Sequence, residues 1–159
     1  MSHELVRWAL RGAAAGAAGT TALNAVTYLD MAVRGRPASR TPSQTVERIA
    51  YGVHVKIPGS GEQRANRVEG LAPLAGLATG VGLGAALGLV RAAGWRPGPL
   101  AGALVATTVA LVGANGPMAV LGVSDPRTWS VTDWVSDLVP HLAYGGVTAA
   151  VLSGLDDGR

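Results

Sequence analysis

Cysteine and phenylalanine are absent from all 159 residues, and lysine occurs once. Without cysteine, disulfides, thiol catalysis and thiolate metal sites are excluded. Charge is scarce too: 14% of the residues are charged, against roughly 25% in soluble domains. The charges are clustered, and between the clusters lie four uncharged runs, 12–29, 70–90, 98–123 and 138–155. Their lengths are 18, 21, 26 and 18 residues, and about 20 helical residues cross a hydrocarbon core of about 30 Å. Four such runs in succession are the pattern of a polytopic membrane protein, and the length suits one domain.

Mean hydropathy is only +0.30 because the runs are built from glycine and alanine. The first, GAAAGAAGTTALNAVTYL, is the weakest: Asn24 and three threonines leave little to drive insertion. Alone it also fits a soluble Ala-rich helix, or a signal peptide led by Arg7 and Arg11. A signal peptide needs a compact apolar centre, which this run lacks. We read it as a retained first helix that depends on its neighbours. The net charge of +3 comes from arginine, most of it in the first loop, as suits anionic headgroups. No basic face is interleaved with stacking aromatics, so nucleic acid is not an expected partner.

Proline, glycine and capping residues divide the chain, 1–159, into one domain of four long helices and a short one. The long helices are expected over about 7–33, 62–90, 99–121 and 131–155, an all-α, four-helix transmembrane bundle. Residues 1–11 form an amphipathic lead with Trp8 at the interface. In the first loop GRPASRTP forbids regular structure. Thr41-Pro-Ser-Gln44 then has the form of a capping box. Val46, Ile49, Ala50 and Val53 recur at i, i+3, i+4 and i+7. This predicts an amphipathic helix over about 42–53, on the membrane surface or against the bundle; a partly ordered loop is the alternative. Ser60 with Gln63 is placed to cap the second long helix, Trp95 falls at headgroup level, and Pro117 is expected to bend the third helix. Ser130-Val-Thr-Asp133 is placed to cap the fourth.

Gly76, Gly80, Gly84 and Gly88 are four residues apart and share one stripe of their helix, a glycine zipper. Gly12, Gly16, Thr20 and Asn24 repeat the period, as do Gly98, Gly102, Ala106, Ala110 and Ala114. Helices in lipid gain little from hydrophobic burial, so close contact between small residues holds such a bundle together. Internal packing is the plainer reading of the stripe; a seat for a lipid, pigment or neighbouring subunit is the functional one. With four crossings both termini share a side, with Arg7, Arg11, Arg91, Arg96 and Arg159. The opposite side has eight basic residues, seven of them in the first loop. By total count that loop is inside; by density along short segments the termini are cytoplasmic, which we prefer.

Polar groups within the runs are functional candidates. They are Asn24, Asn115, His141, Tyr28 and Tyr144, with Asp30, Asp133 and Asp137 near the boundaries. Asn24 and Asn115 suit interhelical hydrogen bonds or a small polar site, and Asn115 is also placed to satisfy a carbonyl freed by Pro117. Asp133, Asp137 and His141 repeat at i, i+4 and i+8 near one helix face, where they are able to bind a divalent metal or relay protons. No second histidine stands at ligand spacing and no HExxH occurs. The plainer reading sets the aspartates against the positive helix end and bonds His141 to a neighbour. Serine-hydrolase elbows, P-loops and dinucleotide fingerprints are absent, so no catalytic residue, cofactor or metal is assigned.

The blocks GTTALNAVTYLDMAVRGRPASRTP, NRVEGLAPLAGLATGVG and GVSDPRTWSVTDWVSDLVPHLAYG resemble an uncharacterised family of small four-helix membrane proteins from high-GC actinobacteria. In size and topology alone the chain is also similar to the YagU-type inner-membrane proteins. The resemblance implies a multi-pass protein of the bacterial cell membrane and supplies no catalytic residues. The expected function is that of an accessory or scaffold subunit, non-enzymatic, whose partners are membrane lipids and either itself or a larger membrane complex. The alternative is a small oligomeric transporter or channel with a path near Asn24, Asn115 and His141. An enzyme acting on lipid comes third.

Overall fold

The computed structural model describes residues 2–157; Arg159, counted above with the basic residues of the terminal side, lies outside them. Among the described residues the fold is all α: α1 (Ser2–Arg34), α2 (Thr41–Gly52), α3 (Gly61–Ala92), α4 (Pro99–Val120) and α5 (Val131–Asp157), with a 3-10 turn at Pro126–Thr128. α1 starts ahead of its expected bound because the amphipathic lead is itself helical, Glu4 pairing with Arg7 one turn on at 3.1 Å.

The first four helices end alike. The chain turns left-handed at Gly35, His54, Gly94 and Gly122. The next amide then reaches back five residues, from Arg36 to Met31, Val55 to Ala50, Trp95 to Val90 and Val123 to Met118. This is the Schellman arrangement, in which glycine meets no side-chain penalty. His54, at φ +57°, is the exception.

The starts differ. At α5 a reciprocal capping box forms: Ser130 Oγ accepts from the Asp133 amide at 3.2 Å, and Asp133 Oδ2 accepts from the Ser130 amide at 3.0 Å. The other two expected caps do not form. α2 begins one residue early, which puts Arg40 at the cap; the Thr41 amide donates to Ser39 Oγ at 3.3 Å instead. Ser60 holds the cap position of α3 without a side-chain bond, and Gln63 lies against Gly59 instead of reaching back.

The long helices alternate in direction. α1 runs antiparallel to α3, with Gly12 facing Gly88 and Gly16 facing Gly84. A Cβ on Gly12 would stand 2.9 Å from Gly88 Cα, and one on Gly84 2.5 Å from Gly16 Cα, so these backbones touch. α1 is antiparallel to α5 as well, Gly19 lying against Tyr144 and Thr148. α4 packs mainly on α5 and meets α3 only lightly, as where Leu83 covers Gly113. The glycine stripe is shorter than its spacing implied. Opposite Gly80 α1 presents Thr20, and Gly76, one turn further, is exposed with open space beside it.

Small residues fill the interior, among them Ala15, Ala72, Ala106, Ala110 and Ala149. Leu10, Leu74, Leu100 and Val112 face outward, each 60% or more exposed. In water so much uncovered apolar surface is unfavourable; in hydrocarbon it costs nothing. α3, α4 and α5 are each long and apolar enough to cross a bilayer, the pattern of a membrane protein. α1, expected as the fourth span, does not meet that measure, because Asn24 and the threonines dilute its run. Its 33 residues nonetheless extend about 50 Å.

α2 packs on the polar foot of α3, where Glu47 accepts from Arg64 at 2.5 Å. Val46 and Ala50 are half-covered while Ile49 and Val53 stay exposed. Trp8, expected at the interface, is fully buried: Gly88 of α3 packs against its backbone, and Arg11 of α1 and Arg96 of the turn after α3 lie against its ring.

Candidate functional site

Small residues let α4 and α5 approach closely. A Cβ on Gly145 would lie 2.5 Å from the Ala103 carbonyl and 2.8 Å from the Thr107 amide. This approach sets Asn115 opposite Asp137, and Asn115 Nδ2 donates to Asp137 Oδ2 at 2.8 Å. The amide crosses to α5 and not to a carbonyl freed by Pro117, since a carboxylate is the stronger acceptor. One turn on, His141 Nδ1 lies 2.7 Å from the Asp137 backbone carbonyl and 3.5 Å from its Oδ1. A carbonyl oxygen only accepts, so the network assigns the proton to Nδ1 and leaves the Nε2 lone pair free to accept. Pro140, just before, has no amide and takes the Ser136 carbonyl out of the helical ladder. Pro140 and His141 are both buried.

The end of α1 borders this site. Arg34 donates to Ser136 Oγ at 2.9 Å and lies 3.4 Å from Asp30, which also accepts from Arg36 Nε at 2.5 Å. Asp133 turns back to Ser130, so the Asp133–Asp137–His141 stripe divides into a helix cap and a pair. Among the described residues no three His, Asp or Glu side chains converge as a metal site would require. In the preceding turn, Arg127 holds the Asp125 carboxyl below its usual range, first through its side-chain hydrogen bond. Chemically, the site offers one imidazole nitrogen as a hydrogen-bond acceptor beside a carboxylate already fixed by Asn115.

The remaining candidates lie apart. Tyr144 Oη donates to the Gly80 carbonyl of α3 at 2.7 Å, and Thr148 Oγ1 to the Ala15 carbonyl of α1 at 3.4 Å. Asn24 is half-buried on α1 and makes no side-chain hydrogen bond among the described residues, and Tyr28 is exposed. Sequence reasoning missed a second polar cluster at the terminal end. There Arg91, buried at the end of α3, pairs with Asp156 of α5 and reaches Ser153 Oγ at 3.4 Å. The available signal was topological: in an up-and-down bundle α3 and α5 end on the same side, one with a cation and the other with an anion.

Comparison with protein families, curated proteins and solved structures gives no match.

Proposed function

We propose that the chain is a four-span protein of the bacterial inner membrane, an accessory or scaffold subunit without catalysis of its own. The supporting observation is how its interior polar side chains are used. Tyr144 bonds α5 to α3, Thr148 bonds α5 to α1, and Asn115 bonds α4 to α5. Such bonds fasten helices where hydrophobic burial cannot, and they leave the outward faces to lipid or a partner. α1 enters as the fourth span because it lies along two helices apolar enough to cross. Arg7, Arg11, Arg91 and Arg96 favour cytoplasmic termini. The likeness to small actinobacterial four-helix proteins is in keeping with this. The test is the mass of the species extracted from native membranes in mild detergent. A stoichiometric complex, with itself or another membrane protein, supports the proposal; a folded solitary monomer contradicts it.

A transporter or channel is the second reading, favoured by one feature. Asp137, His141, Tyr144, Thr148 and Asp156 follow one another along α5 and each meets a neighbouring group. From first to last the helix rises about 28 Å, close to the hydrocarbon thickness of about 30 Å. Asp137→Asn, His141→Gln and the double variant separate the readings. Lost proton flux in liposomes with an intact fold favours transport; a coupled loss of stability alone favours the scaffold.

A further inference from the structure

We infer that the terminal end of the bundle binds the phosphate group of an anionic phospholipid, an inference that rests on the membrane-spanning reading. Three guanidiniums converge there from three segments. Arg11 of α1 and Arg96 of the α3–α4 turn place their Cζ atoms 5.1 and 5.4 Å from the centre of the buried Trp8 ring. Arg91 arrives from the end of α3. Among the described residues one carboxylate faces them: Asp156 pairs with Arg91 and lies 3.8 Å from Arg96 Nε. Glu4 is turned to Arg7. Among the described residues Arg11 has no carboxylate partner, and its Nη1 is buried without a hydrogen-bond partner.

An aromatic ring attracts a cation but offers no acceptor for its N–H groups, and two cations at one ring repel each other. A phosphate supplies both missing elements: charge to offset the repulsion and several oxygens matched to guanidinium forks. The level in the molecule fits as well. Arg11 directly precedes one uncharged run and Arg91 directly follows another, which is where headgroup phosphates lie. That level in the molecule favours a lipid over free phosphate.

The test uses the full chain in phosphatidylcholine nanodiscs, with and without phosphatidylglycerol. Native mass spectrometry counts retained lipid, and thermal unfolding reads stability. The wild type should retain phosphatidylglycerol and unfold several degrees higher in its presence. Arg11→Gln should lose both effects, while Arg7→Gln, outside the cluster, keeps both. An Arg11-dependent rise with inorganic phosphate, without retained phosphatidylglycerol, supports the site and assigns it to free phosphate. Equal behaviour in all discs, or full retention by Arg11→Gln, overturns the inference. If Arg11→Gln does not fold, Arg11→Lys keeps the charge without the fork and should retain the lipid several-fold less; undiminished retention overturns it. Failure here leaves the membrane reading standing, whereas a chain released from membranes by alkaline carbonate fails that reading itself.

Discussion

At the bundle's terminal end the Asp156 side chain is 14% exposed and the Arg91 side chain 6%, so each holds the other's charge out of water. Removing Asp156 leaves the Arg91 charge buried, which costs about 3–5 kcal/mol in comparable buried pairs, whereas Asp156 without Arg91 keeps Arg96 Nε at 3.8 Å. Asp156→Asn should therefore destabilise by roughly 3 kcal/mol and Arg91→Gln by less, and the double variant should fall well short of the sum, measured by unfolding in detergent. At the other end Asn115→Ala should cost about 1.5–3 kcal/mol, the range for a hydrogen bond to a charged group. The three residues of the α4–α5 site were legible in the sequence as polar groups within or bordering apolar runs, since lipid makes such groups conspicuous. Which of them would meet was not, because Asn115 and Asp137 are 22 positions apart and their encounter depends on how closely Gly145 lets the helices approach. Arg91 and Asp156 read as boundary charges because each closes a run, a place that ordinarily faces water.

Among the helices, the glycine seam makes a graded prediction. Gly84 faces the Gly16 backbone, whereas Gly76 and Gly82 have nothing within 4 Å. Gly84→Ala should destabilise by roughly 1–3 kcal/mol through overpacking, and Gly84→Leu should prevent folding. Gly76→Ala and Gly82→Ala should gain roughly 0.5–1 kcal/mol from helix propensity. Equal effects at Gly82 and Gly84 would refute the close-packed seam. The four-residue spacing located this stripe but not its end, since spacing says which positions share a face and nothing about where the partner helix presents Thr20. Helix ends were legible at Gly35, Gly94 and Gly122. At α2 the same left-handed turn is made by His54, which carries no such signal. A left-handed non-glycine residue costs about 1–2 kcal/mol. His54→Gly should thus stabilise the end of α2 by roughly 0.5 kcal/mol after the added freedom of the unfolded chain is offset, seen as slower amide exchange at Val55.

The whole molecule is a bundle with alanine and glycine inside and leucine and valine outside, which is favourable where the surroundings are hydrocarbon. Composition made this legible for α3, α4 and α5. It did not for α1, whose place is set by contacts with α3 and α5 and not by its own hydropathy. The absence of cysteine makes the decisive measurement simple, because single cysteines enter a clean background. Glu4→Cys, Ser39→Cys, Arg96→Cys and Arg127→Cys variants would be labelled in sealed vesicles with a membrane-impermeant maleimide, before and after permeabilisation. If α1 crosses with the other long helices, positions 4 and 96 label from one side and positions 39 and 127 from the other. If Glu4→Cys labels from the same side as Ser39→Cys and Arg127→Cys, α1 does not cross, and the four-span bundle is contradicted.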